Sequence, residues 1–182
     1  SRLCKALAEG VQAFDPEIIL AVGRGGFYPG TLLAHMLQVE IFPVRLSRRI
    51  NDVVVFRTPK WHVEPPALVD GRRVLIVDEI SSTGETLRMV KEKALALGAA
   101  EVRIAVLYAH TWGVDVPDYI GLVSDALLLN PWDREILTAE GWKFHPEYAG
   151  ALAKQEIAVD SSLEISVARF ELGKGGGVGS RE

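Results

Sequence analysis

Three stretches of the chain are dominated by apolar residues over a length too short for a helix: IILAVG at 18–23, RVLIVDEI at 73–80 and VRIAVLYA at 102–109. Continuous apolar runs of this kind, without strict alternation, read as strands buried on both faces. Helical patterns separate them. Residues 2–13 carry Leu3, Leu7 and Val11 at a spacing of four, until Asp15 and Pro16 break the pattern. PGTLLAHMLQ at 29–38 reads as a helix with Pro29 near its first turn, where a missing N–H costs little. Residues 85–97 read as a third helix, stopped by Gly98. Strands alternating with helices imply an α/β fold with a parallel sheet flanked by helices and right-handed crossovers. Ligands in such sheets gather beyond the carboxyl ends of the strands.

Two further strands are expected, IFPVRL at 41–46, close to an edge because of Pro43, and YIGLVSD at 119–125. The 182 residues suit a single domain over 1–182. Within it, the polar and Pro-interrupted stretch 47–72 has the length of a lid loop, with VVVF as a short strand inside it. The later part of the chain, about 111–148, is expected to form a small hood, followed by an extension over 149–182. In that extension 162–172 partly alternates like a late strand, and the Gly-rich last ten residues are expected to be mobile.

Composition excludes several classes. A net charge of −4 argues against a nucleic-acid surface, which usually needs a basic patch. The single cysteine, Cys4, permits no internal disulfide and no cysteine-rich zinc site, which suits a reducing cytoplasm. No apolar run approaches the roughly 20 residues that span a bilayer, and none reads as a signal peptide. His35, His62 and His145 show no metal-ligand spacing.

The most telling run is VLIVDEISSTGETL at 74–87. Ser82 and Glu85 fit the capping-box spacing that starts a helix. That does not account for Asp78 and Glu79. Adjacent carboxylates at the end of a buried strand repel each other and lose hydration, so they call for a ligand or cation. The N–H groups of Thr83, Gly84, Glu85 and Thr86 fall at a helix N-terminus, where orphan donors and the helix dipole favour a phosphate. No Walker loop is present, since no Lys follows Gly84. Two carboxylates for a diol and a phosphate cradle a few residues on match a ribose 5-phosphate.

This run resembles the phosphoribosyl-pyrophosphate motif of the type I phosphoribosyltransferases: a hydrophobic strand, two acids, variable positions and a T-G-x-T loop. The resemblance implies that Asp78 and Glu79 bind the ribose hydroxyls directly or through Mg²⁺, and that Ser82, Thr83, Gly84, Glu85 and Thr86 hold the 5-phosphate. AVGRGGFYPGTLLAHML resembles the pyrophosphate loop of the xanthine-guanine and hypoxanthine branch. Arg24 and the amides of Gly25 and Gly26 would then hold the leaving pyrophosphate, and the loop would carry a non-proline cis peptide. VPDYIGL at 116–122 and NPWD at 130–133 resemble the segment that encloses the base. Trp132 would stack on the ring, and Asp133 would either accept from a base amino group or cap a following helix. Two positions depart from the branch. Ser82 replaces its usual loop acid, and His110 stands where it has a Lys reading the 6-oxo group, a role an imidazole can fill by donating.

The implied activity is transfer of a phosphoribosyl group from phosphoribosyl pyrophosphate to a 6-oxopurine in salvage, by a cytoplasmic homo-oligomer, dimer or tetramer. Asp78, Glu79 and Arg24 would be its catalytic groups. Two alternatives stay open. One is the same reaction on another base such as adenine; the other is a non-enzymatic sensor of phosphoribosyl pyrophosphate.

Overall fold

A computed structural model describes residues 2–50 and 53–154. The chain resolves into two compact units, Ser1–Asp125 and a second beginning at Ala126.

The first unit runs α1 (Arg2–Val11), a 3-10 turn at Gln12–Phe14, β1 (Ile18–Val22), α2 (Phe27–Leu37), β2 (Glu40–Ser47), β3 (Arg49–Ile50), β4 (Val53–Val54) and β5 (Lys60–Val63). After a 3-10 turn at Ala67–Val69 come β6 (Arg73–Ser81), α3 (Glu85–Ala96), β7 (Glu101–Ala109), a 3-10 turn at Thr111–Gly113 and β8 (Tyr119–Val123). Six strands form one sheet in the order β5-β2-β1-β6-β7-β8. All neighbours are parallel except β5, which runs antiparallel to β2.

The apolar runs occupy the middle of this sheet, as their composition requires. Every residue of β1 is buried, as is Val74–Val77 of β6. Alternate residues face opposite layers. Leu20, Ile76, Ile104 and Val106 share one core cluster with Leu87, Val90 and Ala94 of α3. On the other side α2 lies close enough to β1 that a Cβ at Gly30 would sit 2.8 Å from the Cβ of Ala21. Gly30 thus lets helix and strand approach.

β2 lies close to an edge, as expected, with one strand outside it. β5 covers it, pairing through Arg45, Leu46 and Ser47, past a register shift between Arg45 and Leu46. Pro43 lies before that paired stretch and faces Ala21 on the β1 side, so its missing N–H interrupts no bond to β5. The stretch expected to act as a lid therefore supplies a main-sheet strand at Lys60–Val63 and a two-residue ladder between β3 and β4. β8, whose strand character the sequence shows, pairs with β7 in the main sheet.

In the second unit β9 (Glu135–Thr138) and β10 (Gly141–Phe144) form an antiparallel hairpin, followed by α4 (Pro146–Lys154). Gly141 holds φ +106, a turn conformation that L side chains rarely adopt. The strand expected at 162–172 and the mobile end expected at 173–182 lie outside the described residues.

Candidate active site

β1, β6 and β7 are adjacent and parallel, so the segments after them emerge at the same end of the sheet. The register pairs Asp78 with Val106, and Ser81 with Ala109. The acidic pair, the small-residue loop and His110 are therefore neighbours by construction.

The R-G-G loop rests directly on the acidic strand end. Gly23–Arg24 is a cis peptide bond, in line with the resemblance. A Cβ at Gly25 would collide with the Glu79 carboxylate. One at Gly26 would lie 2.5 Å from Val77 O, 2.6 Å from Val22 O and 2.9 Å from the Cα of Asp78. Only glycine fits between the two central strands there. Arg24 itself is exposed.

Asp78 keeps partial solvent contact as a residue, yet its carboxyl is enclosed. Burial raises its pKa to about 7, and the Glu79 N–H, donating to Oδ1 at 2.7 Å, offsets this in part. A carboxyl in that position gains from a cation. Among the described residues no group of three or more His, Cys, Asp or Glu forms a cage that could hold a metal alone. Two adjacent carboxylates without a cage fit Mg²⁺, which keeps several waters and completes its shell with substrate oxygens.

The loop after β6 corrects one expectation. No capping box forms between Ser82 and Glu85. The N-cap of α3 is Gly84, with φ +71 and no side-chain cap bond. This left-handed residue turns the chain so that Ser82 falls outside the cap. A Cβ at Gly84 would also strike Val116. Thr83 takes over locally: its hydroxyl lies 3.5 Å from the Glu85 N–H, and its carbonyl accepts from Arg88 at 2.9 Å. The amides of Thr83–Thr86 do stand at the N-terminal end of a 12-residue helix.

The turn after β7 is fastened onto the end of β6. His110 N–H donates to Ser81 O at 3.0 Å, and the buried Ser81 hydroxyl donates to Gly113 O at 2.8 Å. Gly113 packs against the carbonyls of Ser81 and Ser82 so closely that no side chain fits. Thr111 donates from its N–H and its hydroxyl to Asp125, each at 2.8 Å. The Thr111 N–H first, then its hydroxyl, hold the Asp125 carboxyl below the usual range, with the nearby His110 helping. Trp112, which the sequence reading passed over, reaches the Ser82 hydroxyl with its indole N–H at 3.4 Å. A Trp three residues past the end of a strand was the available signal; only the tertiary contact gives it meaning.

Trp132 and Asp133 belong to the second unit. Trp132 is half-buried. The Asp133 carboxylate accepts from the Asn130 amide at 3.2 Å and its N–H donates to Asn130 O at 3.0 Å, closing a turn. No helix follows it; β9 does. Its capping role is thus at a turn.

A sequence profile described as the phosphoribosyl transferase domain matches residues 3–136. The chain belongs to that family. A solved purine phosphoribosyltransferase from Pyrococcus horikoshii Ot3 is similar to it, at 32% identity and a TM-score of 0.64, covering 72% of this chain and 86% of that one. An adenine phosphoribosyltransferase from Sphingopyxis alaskensis is 27% identical over 124 residues, 64% of each protein. A hypoxanthine-guanine phosphoribosyltransferase from Saccharomyces cerevisiae is 33% identical over 104 residues, 47% of each. The chain thus spans less than two thirds of the length of these two curated relatives.

Proposed function

We propose that this chain transfers the 5-phosphoribosyl group from phosphoribosyl pyrophosphate to a purine base in purine salvage, releasing pyrophosphate and a nucleoside monophosphate. One observation carries the reading: the R-G-G loop sits on the acidic strand end, with Gly25 against Glu79 and Gly26 against Asp78. A donor whose diol faces Asp78 and Glu79 has its pyrophosphate at Arg24, Gly25 and Gly26. Its 5-phosphate falls at the amides of Thr83–Thr86 and the hydroxyls of Ser82, Thr83 and Thr86.

A ring nitrogen of the base attacks the anomeric carbon. The bond to pyrophosphate breaks, its electron pair leaves with the pyrophosphate, and the proton lost by the nitrogen passes to pyrophosphate or solvent. The transition state has oxocarbenium character, as in other glycosyl transfers. Arg24 and the loop amides are fixed donors aimed at the charge that grows on the leaving group. Bound Mg²⁺ would supply further neutralisation of that charge, held by Asp78 and Glu79. We place this work in the cytoplasm, in a dimer or tetramer of the chain.

The acceptor favoured by the resemblance is a 6-oxopurine, hypoxanthine, guanine or xanthine, with His110 at the edge of the base. The name of the yeast relative agrees; that of the Sphingopyxis relative points to adenine. The choice between them lies with the side chains at the end of β7.

The double variant Asp78→Asn/Glu79→Gln should lose at least 10³-fold in nucleotide formation, on the order of 4 kcal/mol of transition-state stabilisation. Its circular dichroism should match that of the parent. Parent-like rates in the double variant would remove the acids from the mechanism.

A further inference from the structure

His110 Nδ1 lies 2.9 Å from Ser124 O. A carbonyl oxygen only accepts, so Nδ1 carries the ring proton. Asp125 Oδ1, 3.9 Å from the same nitrogen, favours the same placement. In the neutral imidazole Nε2 is then a lone-pair acceptor. The sequence reading had this ring donate to a 6-oxo group; the neutral ring has already spent its donor on Ser124.

The ring is not isolated. It stacks on Trp112 with centroids 4.5 Å apart and planes 21° from parallel. Trp112 remains 61% exposed, although His110 covers part of it. Its indole N–H donates to Ser82 Oγ at 3.4 Å, so the Ser82 hydroxyl keeps its own proton to give elsewhere. His110, Trp112 and Ser82 are thus linked by successive contacts at the phosphate loop, bringing together an aromatic surface, an acceptor and a donor. Aromatic faces take flat heterocycles by offset stacking.

We infer that His110, Trp112 and Ser82 form the acceptor-selecting surface, and that it takes a 6-aminopurine in preference to a 6-oxopurine. The exocyclic amino group donates to His110 Nε2, and a ring nitrogen lone pair accepts from Ser82. A 6-oxo group would set oxygen lone pairs against the Nε2 lone pair. A site built for one hydrogen-bond polarity discriminates strongly against the opposite one. Ser82, which lacks the charge of the branch's loop acid, fits the same neutral acceptor. This inference rests on the phosphoribosyltransferase reading and narrows its substrate.

The test supplies the full chain with phosphoribosyl pyrophosphate and Mg²⁺ at about pH 8.5. Adenine and hypoxanthine are offered separately, and each nucleotide is measured by chromatography. The parent chain should favour adenine in kcat/KM by about tenfold or more. His110→Lys, whose ammonium only donates, should shift the adenine-to-hypoxanthine ratio toward hypoxanthine by about tenfold. Trp112→Phe keeps a ring but loses the bond to Ser82, and should raise KM for adenine a few-fold with kcat little changed. A parent chain that prefers hypoxanthine overturns the inference. So does a ratio unmoved by His110→Lys in a variant folded by circular dichroism. In either case the phosphoribosyltransferase reading stands. Failure to convert any purine overturns both.

Discussion

The ends of β6 and β7 lie side by side and are built from different materials. Around β6 the surface is backbone and one pair of carboxylates, Asp78 and Glu79. Gly25 and Gly26 press against the acidic strand end, Gly84 starts α3 with a left-handed turn, and amides supply the donors. Around β7 it is made of side chains: an imidazole set by a neighbouring carbonyl and an indole stacked on it, whose N–H donates across to the Ser82 hydroxyl of the β6 loop. Backbone amides and one acidic pair suffice for what every donor molecule shares, a phosphate and a diol. Side chains are needed to tell one flat base from another. The contrast predicts that damage at β6 is structural and general, whereas damage at β7 is selective.

The sharpest way to break the contrast is Gly26→Ala. The added methyl meets two carbonyl oxygens of the central strands, neither of which can yield as a flexible side chain would. We expect a loss of about 3 kcal/mol by urea denaturation. An unchanged midpoint would show that the strand ends are looser than the glycine packing implies.

Asp78 sharpens it next. Burial lifts its folded pKa from 3.8 to about 7. Between those values the folded chain holds a proton that the unfolded chain releases, so stability falls as pH rises through that window. Above about 7 the penalty is complete. Asp78→Asn should thus gain about 2 kcal/mol over the parent at pH 8 in chelator, an amount discounted for the partial exposure of the residue, and almost nothing at pH 4. Denaturant titrations at the two pH values check this. A gain equal at both would assign the effect to packing.

The smallest expected effect is that of Ser81→Ala, which leaves Gly113 O without the buried hydroxyl that fastens the β7 turn. We expect a loss of about 1 kcal/mol, with adenine KM raised more than phosphoribosyl-pyrophosphate KM. Equal changes in both would mean that the two strand ends act as one block.

The same division governs what the sequence discloses. The parallel sheet was legible because burial on both faces leaves an uninterrupted apolar run, as in β1 and β6. That the acids and the R-G-G loop share the carboxyl end of the sheet followed from the alternation of strands and helices; that β1 and β6 are neighbours is a product of the fold. What stayed hidden depends on partners distant in sequence. β5, KWHV, has only one of its four residues even partly buried and owes its strand to pairing with β2. Ser82 carries a sound capping signal, yet Gly84 takes the cap by adopting φ +71. His110 shows the same thing: Ser124, 14 residues away, engages its Nδ1, which the residue name alone does not tell. A residue name gives the inventory of donors and acceptors; only the fold says which are already engaged.

Gly26 also constrains how this scaffold could be repurposed. Its backbone is wedged where the two central strands emerge, and any side chain there would prise them apart. A designer, or a drifting lineage, seeking a new acceptor therefore has little freedom on the sugar side. The turn at 110–113 is the interchangeable fitting, mounted on a socket that does not change.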